Sequence, residues 1–360
     1  MMRVYNFSAG PGMLPLEVLK RVQSGLTDYN GTGMSVMEMS HRSKPYDKIN
    51  NDVEALLREL MNIPADYDIL FVQGGATNQF SAVPLNIGTV NRKADYVLTG
   101  NFAKNAYKEG CVHLDAHVAA SSEDKNYTYI PRLAPDMFRK DADYVHICYN
   151  NTIFGTCYDG TPDVGSIPLV ADMSSVILGR QINVSDFALI YAGAQKNMGP
   201  AGVTVVIVKH ELTERAAPTC PVMLRYDNQV KSKSLYNTPP CFSTYVIYEV
   251  LKYLKELGGI PAIQKINERK AAKLYDYIDN SGFYSNPVQK QYRSIMNVPF
   301  VSPSKELDDK FVAEASAAGL VSLKGHRLVG GMRASIYNAM PEEGVDALIE
   351  FMDKFKKANA

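Results

Sequence analysis

Lys196 stands in a segment whose composition suits a chemically reactive amine. Small residues flank it in YAGAQKNMGPAG, between two apolar runs. The amine has little bulk around it in such a segment and is expected to be partly desolvated. Desolvation lowers the pKa of a lysine and makes its neutral form available as a nucleophile toward a carbonyl carbon. The alternative is a lysine in an exposed turn, which is the usual place for this residue type.

Asp172 ends another apolar run, SIPLVAD (166–172), and is followed by Met173-Ser174-Ser175. A carboxylate at the end of a buried strand has to be paired or hydrogen-bonded, because leaving it desolvated and alone costs several kcal/mol. A protonated ring nitrogen of a bound group would satisfy it. Alternatively, Asp172 caps the N-terminus of a following helix, a position in which aspartate is common.

A glycine-containing turn, Gln73-Gly74-Gly75-Ala76-Thr77-Asn78, follows the apolar run DILFVQ. Glycines allow the backbone to approach a phosphate closely, and the free N–H groups at the start of a helix attract an anion. The motif therefore predicts a phosphate-binding helix start. By itself it is equally typical of a tight strand-to-helix turn.

All three features lie at the carboxyl ends of predicted strands, where open α/β sheets bind their ligands. A phosphate cradle, an acid for a ring nitrogen and a reactive lysine are the parts needed to bind pyridoxal 5′-phosphate (PLP). Their combination predicts a PLP-dependent enzyme.

Motifs along nearly the whole chain resemble those of the phosphoserine aminotransferase family, a group of fold-type I, class V PLP-dependent aminotransferases. The motifs are, in order, NFSAGPGMLP, SHRSK, GGATNQF, VADMSS, YAGAQKNMGPAG, NTPPCF and GHRLVGGMRASIYNAM. The resemblance implies reversible amino transfer between L-glutamate and 3-phosphohydroxypyruvate, which gives O-phospho-L-serine and 2-oxoglutarate in serine biosynthesis. It also suggests 4-phosphohydroxy-L-threonine, of pyridoxine biosynthesis, as a further substrate.

The resemblance also implies a cofactor site. Lys196 and Asp172 would be the catalytic residues, the first bound covalently to PLP and the second paired with its pyridinium nitrogen. Thr152 would hydrogen-bond the 3′-oxygen of the ring. The residues that would contact the cofactor phosphate are Ala76, Thr77, Gln195, Asn237 and Thr238. Asn237 and Thr238 would reach the phosphate of the neighbouring subunit, so a homodimer with shared active sites is implied.

Cationic side chains would recognise the substrates, because L-glutamate and the phosphorylated keto acid are each doubly anionic. By the same resemblance, Arg333 would bind the α-carboxylate. The residues that would hold the distal acid or phosphate, or line the same pocket, are Ser8, His41, Arg42, His326 and Arg327. Each arginine could instead form an ordinary surface ion pair.

Two positions depart from the family pattern. Some members have an arginine where Thr77 stands, which would leave more of the phosphate binding here to the other cationic residues. Many members stack a tryptophan on the cofactor ring, but this chain contains no Trp, and Phe102 occupies the matching position. A phenyl ring offers a smaller stacking face, so we expect weaker stacking and an altered cofactor spectrum.

The elements that must position these residues form an α/β pattern. Apolar runs of strand length alternate with helix-sized segments at 68–73, 95–100, 143–150, 166–172, 186–193 and 202–208. They predict a large, mainly parallel sheet covered on both faces. A helical stripe over 45–62 precedes the sheet, and two helices broken at 258–261 follow it.

The C-terminal part predicts a smaller α+β unit. Its order is a strand at 294–301, a helix at 306–318, a short strand pair around 320–337 and a last helix at 341–357. The predicted division is a large PLP-binding domain at 14–257 and a small domain at 258–360, which the N-terminal segment 1–13 joins.

Composition argues against several other classes. The 360 residues include 38 Lys+Arg and 38 Asp+Glu, and the absence of a basic block argues against nucleic-acid and membrane partners. No stretch reaches the ~20 apolar residues of a membrane span, and no signal-peptide core is found, so we expect a cytoplasmic protein.

Five scattered cysteines without a CxxC pair predict reduced, mostly buried thiols. His113 and His117 have the i, i+4 spacing of a zinc helix but lie in an extended-looking segment, so no metal is predicted.

Two other functions fit parts of the sequence. A cysteine desulfurase or class V lyase needs a reactive cysteine on a mobile loop, and no cysteine here lies in an exposed Gly/Ser-rich segment. A non-catalytic protein that binds a phosphorylated ligand, or a regulator, would not need both Lys196 and Asp172. Sulfide release from cysteine would favour the first alternative, and lack of amino transfer despite bound cofactor would favour the second.

Overall fold

The computed structural model describes residues 3–360. The strands are β1 Tyr5–Asn6, β2 Tyr67–Val72, β3 Lys93–Leu98, β4 Asp115–Ser121, β5 Tyr144–Cys148, β6 Leu169–Asp172, β7 Leu189–Gly193, β8 Thr204–Lys209, β9 Asn297–Phe300, β10 Leu320–Val321 and β11 Met332–Ser335. The α-helices are α1 Leu16–Ser24, α2 Lys44–Met61, α3 Gly75–Ile87, α4 Asn101–His113, α5 His210–Thr213, α6 Tyr226–Lys231, α7 Cys241–Glu256, α8 Gly259–Asn280, α9 Lys305–Ala317 and α10 Glu342–Asn359. No helix in this part of the chain combines the length and the apolar character that a bilayer span requires.

A seven-stranded sheet in the order β2-β8-β7-β6-β5-β3-β4 forms the centre of the molecule. The strands from β7 to β4 are parallel, whereas β8 runs antiparallel to both β7 and β2. Alternate residues of a strand enter two different hydrophobic clusters, as Val145 and Ile147 do on one face of β5 and Tyr144 and Cys148 on the other. Both faces are therefore covered, which is why the strands are apolar throughout. The predicted α/β class with a mainly parallel sheet is confirmed.

The edge strand β4 is absent from the predicted set of strands. Its residues Asp115–Ser121 are exposed or half-buried, so they do not form the apolar run that identifies the other strands. The prediction that the segment around His113 is extended is wrong for that residue. His113 is the last residue of α4, with its ring 3.3 Å from Glu109, whereas His117 lies in β4.

The C-terminal elements and the N-terminal strand share a separate hydrophobic cluster, in which Phe7 joins residues of α8 to α10. β1 pairs in parallel with β10, and β11 pairs antiparallel with β9. The two predicted strands around 320–337 are present, but β10 itself pairs with β1, and the antiparallel contact with β11 is made by the residues after β10, through a bridge between Lys324 and Met332. α7 ends at Glu256 and α8 begins at Gly259. The domain division at 257/258 stays a prediction.

Candidate active site

The start of α3 forms one wall of the candidate site. The chain leaves β2 and turns through Gly74 and Gly75, whose φ angles of 97° and 71° lie in the left-handed region, where glycine has no side-chain clash. No side chain caps this helix, and its first turn contains no acidic residue. The first backbone N–H groups, including those of Ala76 and Thr77, can therefore bind an anion.

Lys196 lies in the turn between β7 and β8 and is half-buried. Its amine donates a hydrogen bond to the Thr152 hydroxyl at 2.7 Å and lies 4.9 Å from the centre of the Phe102 ring. Burial lowers the pKa of Lys196, and the carboxylate of Asp172 acts in the opposite direction. The alternative of an ordinary exposed lysine is wrong.

Asp172 is 5% exposed at the end of β6. Its Oδ1 atom accepts hydrogen bonds from the backbone N–H of Ser174 at 2.9 Å and from the Ser174 hydroxyl at 2.6 Å. Within residues 3–360 no donor reaches the second carboxylate oxygen, Oδ2. The chain forms turns rather than a helix after Asp172, so the helix-cap alternative is wrong. The hydrogen bonds to Oδ1 therefore fix the orientation of the Asp172 carboxylate, and Oδ2 is available to a cation.

Arg333 on β11 faces the same loop as Lys196. Its Nη1 atom donates to the backbone carbonyl of Thr152 at 3.2 Å, and its Nε atom is buried without a hydrogen-bond partner. In the described part of the chain no carboxylate pairs with this guanidinium, and burial lowers its pKa. The alternative of a surface ion pair is wrong for Arg333. A desolvated cation without a partner is costly, which favours the binding of an anion here.

Two further cationic residues lie in the loop between β10 and β11. His326 is half-buried and Arg327 is exposed. Burial lowers the pKa of His326, and the positive charges of Arg333 and Arg327 lower it further. Arg333 and Arg327 thus place positive charge around His326, which favours the binding of an anion among the three side chains.

The N-terminal loop that contains Ser8 packs on Lys196. The Ser8 hydroxyl accepts a hydrogen bond from the backbone N–H of Gly10 at 3.3 Å. A Cβ atom on Gly10 would lie 3.4 Å from Cγ of Lys196. The N–H of Gly12 donates to the carbonyl of Gln195 at 2.8 Å. Ser8 therefore belongs to the loop that contacts the lysine, and its place in the substrate pocket stays a prediction.

Among residues 3–360, the hydrogen bonds that join Lys196, Thr152 and Arg333 do not extend to His41, Arg42, Asn237 or Thr238. His41 and Arg42 lie in the turn before α2, and the Nε2 atom of His41 is buried without a partner. Asn237 and Thr238 lie instead against Gln73, whose side-chain amide donates to the Asn237 side chain at 3.5 Å and to the Thr238 carbonyl at 3.1 Å. They therefore stand beside the start of α3 in their own chain.

A buried polar network behind the site was not identified from the sequence. It joins Asn150, after β5, to Asn297 on β9 and to Tyr337, after β11. The only local signal is a pair of polar-rich segments, CYNNT and SIYNAM, that follow apolar strands.

The cysteines do not form a reactive loop. Three are buried, Cys241 is half-buried, and the exposed Cys111 lies within helix α4. Burial raises the pKa of Cys148, and the charge of Asp172 raises it further. A thiol held in this way is a poor nucleophile at neutral pH. Among residues 3–360, no group of His, Cys, Asp and Glu has the arrangement of a metal site.

Known proteins resemble this chain over its whole length. The class-V aminotransferase family matches residues 4–348. A phosphoserine aminotransferase of Bacillus cereus is 54% identical over 359 residues, which cover 100% of both chains. One of Streptococcus suis is 52% identical over 366 residues, again with 100% of both chains covered.

Solved structures agree with this similarity. Phosphoserine aminotransferase from Bacillus circulans subsp. alkalophilus superimposes with a TM-score of 0.96 at 48% identity, covering 99% of each chain. The PLP-bound enzyme from Trichomonas vaginalis superimposes with a TM-score of 0.93 at 39% identity, covering 97% of this chain and 99% of that one. These matches confirm both the resemblance found in the sequence and the predicted fold class. The chain therefore belongs to the class-V aminotransferase family.

Proposed function

We propose that this enzyme transfers the amino group of L-glutamate to 3-phosphohydroxypyruvate, giving 2-oxoglutarate and O-phospho-L-serine, with PLP as its cofactor. The observation that carries the proposal is that Arg333, a half-buried guanidinium without a carboxylate partner, and Lys196 both donate hydrogen bonds to Thr152. The amine of Lys196, with its lowered pKa, lies near the guanidinium of Arg333, which can bind an anion. This arrangement suits an amino acid substrate, whose carboxylate is bonded directly to the Cα atom that loses a proton. The full-length relatives named phosphoserine aminotransferase support the choice of substrates.

The residues around Lys196 fit PLP. Bound PLP supplies an electron sink that stabilises negative charge on the substrate Cα. Lys196 would be the point of covalent attachment, and the free Oδ2 of Asp172 would pair with the protonated ring nitrogen. Thr152 would bind the 3′-oxygen of the ring, and Phe102 would offer its stacking face. The aromatic ring already lies 4.9 Å from the lysine amine.

The cofactor phosphate is held by backbone rather than by a cation. The uncapped start of α3 presents the N–H groups of Ala76 and Thr77, and the positive end of the helix dipole favours a dianion there. Gln195, adjacent to the lysine, adds a side-chain amide donor. Thr77 contributes no side-chain charge, so more of the binding of the substrate phosphate would fall to His41, Arg42, His326 and Arg327.

Lys196 also moves the proton. With cofactor and substrate bound, the Nζ atom of Lys196 would remove the proton from the substrate Cα. Burial lowers the pKa of Lys196, so the neutral form needed for this step is populated nearer to neutral pH. The Thr152 hydroxyl accepts a hydrogen bond from this amine and thereby orients it.

The cationic residues bind different groups of the substrate. Arg333 binds the α-carboxylate through its unsatisfied N–H groups, next to the proton-transfer site. The residues that bind the distal carboxylate or the phosphate are Ser8, His41, Arg42, His326 and Arg327. A site built for a dianion should bind an analogue without the distal charge much more weakly, because the charge-assisted hydrogen bonds to that group would be lost.

A glutamate-dependent assay tests the proposal. We expect 2-oxoglutarate to form rapidly with 3-phosphohydroxypyruvate and at least ~100-fold more slowly with hydroxypyruvate, since the residues proposed to bind the phosphate would lose their charged partner. 4-Phosphohydroxy-L-threonine, assayed in the reverse direction with 2-oxoglutarate, tests the additional substrate. Lys196→Ala should abolish both turnover and the absorbance band of the lysine-bound cofactor. Normal turnover of this variant, or equal rates with the two keto acids, would refute the assignment.

We also propose a homodimer in which Asn237 and Thr238 reach the cofactor phosphate of the partner. Mixing two inactive variants tests this arrangement. Lys196→Ala mixed with the double variant Asn237→Ala/Thr238→Ala should recover about a quarter of the wild-type activity after subunit exchange, because half of the dimers then contain one intact site. If the two residues serve their own chain, next to Gln73, the mixture recovers nothing. A cytoplasmic location stays a prediction from the sequence.

A further inference from the structure

Tyr337 lies immediately beyond β11 and is 2% exposed. Its hydroxyl donates a hydrogen bond to the backbone carbonyl of Ala9 at 2.7 Å, across the boundary between the C-terminal elements and the N-terminal loop. The side-chain amide of Asn297 donates to the same hydroxyl at 3.2 Å. A hydroxyl has one proton, and because Asn297 supplies a donor, the proton of Tyr337 is committed to Ala9.

The orientation of Asn297 is itself fixed. Its Oδ1 atom accepts a hydrogen bond from the side-chain amide of Asn150 at 2.9 Å, and its amide nitrogen also donates to the Ser335 hydroxyl at 2.9 Å. The Oδ1 atom of Asn150 accepts from the Ser294 hydroxyl at 2.6 Å. All of these side chains are buried. The network therefore gives the Tyr337 hydroxyl a single direction.

The loop that Tyr337 holds lies directly on Lys196. A Cβ atom on Gly12 would lie 2.6 Å from the carbonyl oxygen of Lys196 and 2.8 Å from the ring of Tyr337, so the loop is sandwiched between them. A Cβ atom on Gly10 would lie 3.4 Å from Cγ and 3.9 Å from Cε of Lys196. The loop Ala9–Gly12 therefore covers the aliphatic part of the lysine side chain.

We propose that Tyr337 is a positioning residue for Lys196. By fixing the Ala9 carbonyl, its hydroxyl holds the loop Ala9–Gly12 against the lysine, keeps water from the lysine side chain and restricts the directions of the amine. Tyr337 acts through the loop and is distant in sequence from every residue assigned to the cofactor. The expected effect on amino transfer rests on the proposed function, whereas the shielding of Lys196 by the loop Ala9–Gly12 does not.

The cofactor-free protein provides the decisive measurement. The rate at which an acylating reagent modifies Lys196, followed by peptide mass spectrometry across a pH range, reports both the pKa of the amine and its accessibility. We expect Tyr337→Phe to raise the midpoint of this profile and to increase the limiting rate by about tenfold, because one hydrogen bond of the cover is lost. Gly12→Ala should have the same effect, since its Cβ atom would clash with the Lys196 carbonyl and the Tyr337 ring and separate the loop from the lysine while the Tyr337 hydroxyl is retained.

Tyr284→Phe is a matched control. The Tyr284 hydroxyl also donates to a buried backbone carbonyl, that of Met352 at 3.0 Å, but within the C-terminal hydrophobic cluster. In Tyr284→Phe the limiting rate of Lys196 acylation should stay within about twofold of wild type, even if Tyr284→Phe and Tyr337→Phe lose similar stability. A profile for Tyr337→Phe that matches the control would overturn the inference.

Kinetics of the PLP-loaded enzyme give a second readout. Tyr337→Phe should lower kcat by about tenfold while KM for glutamate stays within about twofold, because the lysine rather than the anion site is displaced. A change in KM alone would contradict a role through Lys196. If the enzyme fails to transfer amino groups at all but the modification profile still moves, the proposed function is wrong and the positioning role stands.

Discussion

Thr152 accepts two hydrogen bonds that come from opposite parts of the molecule, one from Arg333 to its carbonyl oxygen at 3.2 Å and one from Lys196 to its hydroxyl at 2.7 Å. Arg333 lies on β11 of the C-terminal elements, whereas Lys196 follows β7 of the large sheet. A single residue of the loop after β5 thus sets the spacing between the proposed carboxylate clamp and the proposed base. This spacing has to match the one bond between a substrate α-carboxylate and its Cα.

Replacement of Arg333 by Gln should weaken substrate binding without lowering the stability of the protein. Loss of a charged hydrogen-bond pair is expected to raise KM for glutamate by about 100-fold, which corresponds to ~3 kcal/mol. The melting temperature should stay constant or rise, because the guanidinium has no carboxylate partner and its removal relieves a buried charge. Steady-state kinetics and thermal unfolding without substrate measure the two effects. A strong loss of stability with unchanged KM would assign Arg333 to the fold instead.

Asp172→Asn should lower kcat by about 10²- to 10³-fold, because the neutral amide cannot keep the cofactor ring nitrogen protonated. Stability should change little, since an amide oxygen can still accept the two hydrogen bonds of Ser174. Asp227→Asn is the control: it removes a buried carboxylate that pairs with Arg225 outside the candidate site. Similar kcat values for the two variants would exclude a special role for Asp172.

Phe102→Trp should strengthen retention of the cofactor. An indole has a larger stacking face than a phenyl ring, and aromatic stacking contributes about 0.5–1.5 kcal/mol beyond area burial, so we expect PLP to dissociate up to about tenfold more slowly. The absorbance band of the bound cofactor should move as well. Phe102→Leu, which retains an apolar side chain without an aromatic face, should release PLP faster than wild type. Equal release rates for all three proteins would show that Phe102 does not face the ring.

His146 should make the stability of the protein fall in mild acid. Burial lowers the pKa of His146 to about 3, from an ordinary value of 6.5. Between these two values the unfolded chain binds a proton that the folded chain does not, so the stability present above pH 6.5 is lost as pH falls, by about 1.4 kcal/mol per pH unit. His146→Gln should remove this part of the slope in denaturant titrations at pH 7 and pH 5.5.

The control for this pH effect is Tyr191→Phe. The Tyr191 hydroxyl lies 2.8 Å from Nε2 of His146, so this variant removes the partner of the imidazole but leaves the imidazole itself buried. The variant should be less stable than wild type at both pH values yet lose stability with the same slope. An unchanged slope in His146→Gln would contradict the assignment to this histidine.

The features that could be predicted from the sequence are those with a local signal. The strands of the large sheet are apolar because both faces are covered, and Lys196 and Asp172 were identifiable because each stands at the end of such a run. The start of α3 was identifiable from its paired glycines. In each case the residues that define the feature lie within a few positions of one another.

The features that could not be predicted depend on residues far apart in the chain. β4 is half-exposed, and the two-residue strands β1 and β10 are too short for any periodicity. Asn150 and Asn297 are separated by 147 positions, and only the folded chain shows that they share a hydrogen bond. The same is true of the contact between Tyr337 and Ala9, which no local pattern specifies.

The pairing of β1 with β10 has a consequence for synthesis. Tyr5 and Asn6 leave the ribosome long before their partners Leu320 and Val321 are synthesised. They must therefore stay unpaired while the residues that separate them from β10 are made. A nascent chain that stops before Leu320 also lacks Tyr337 and leaves its lysine without a cover, so it cannot become a working catalyst.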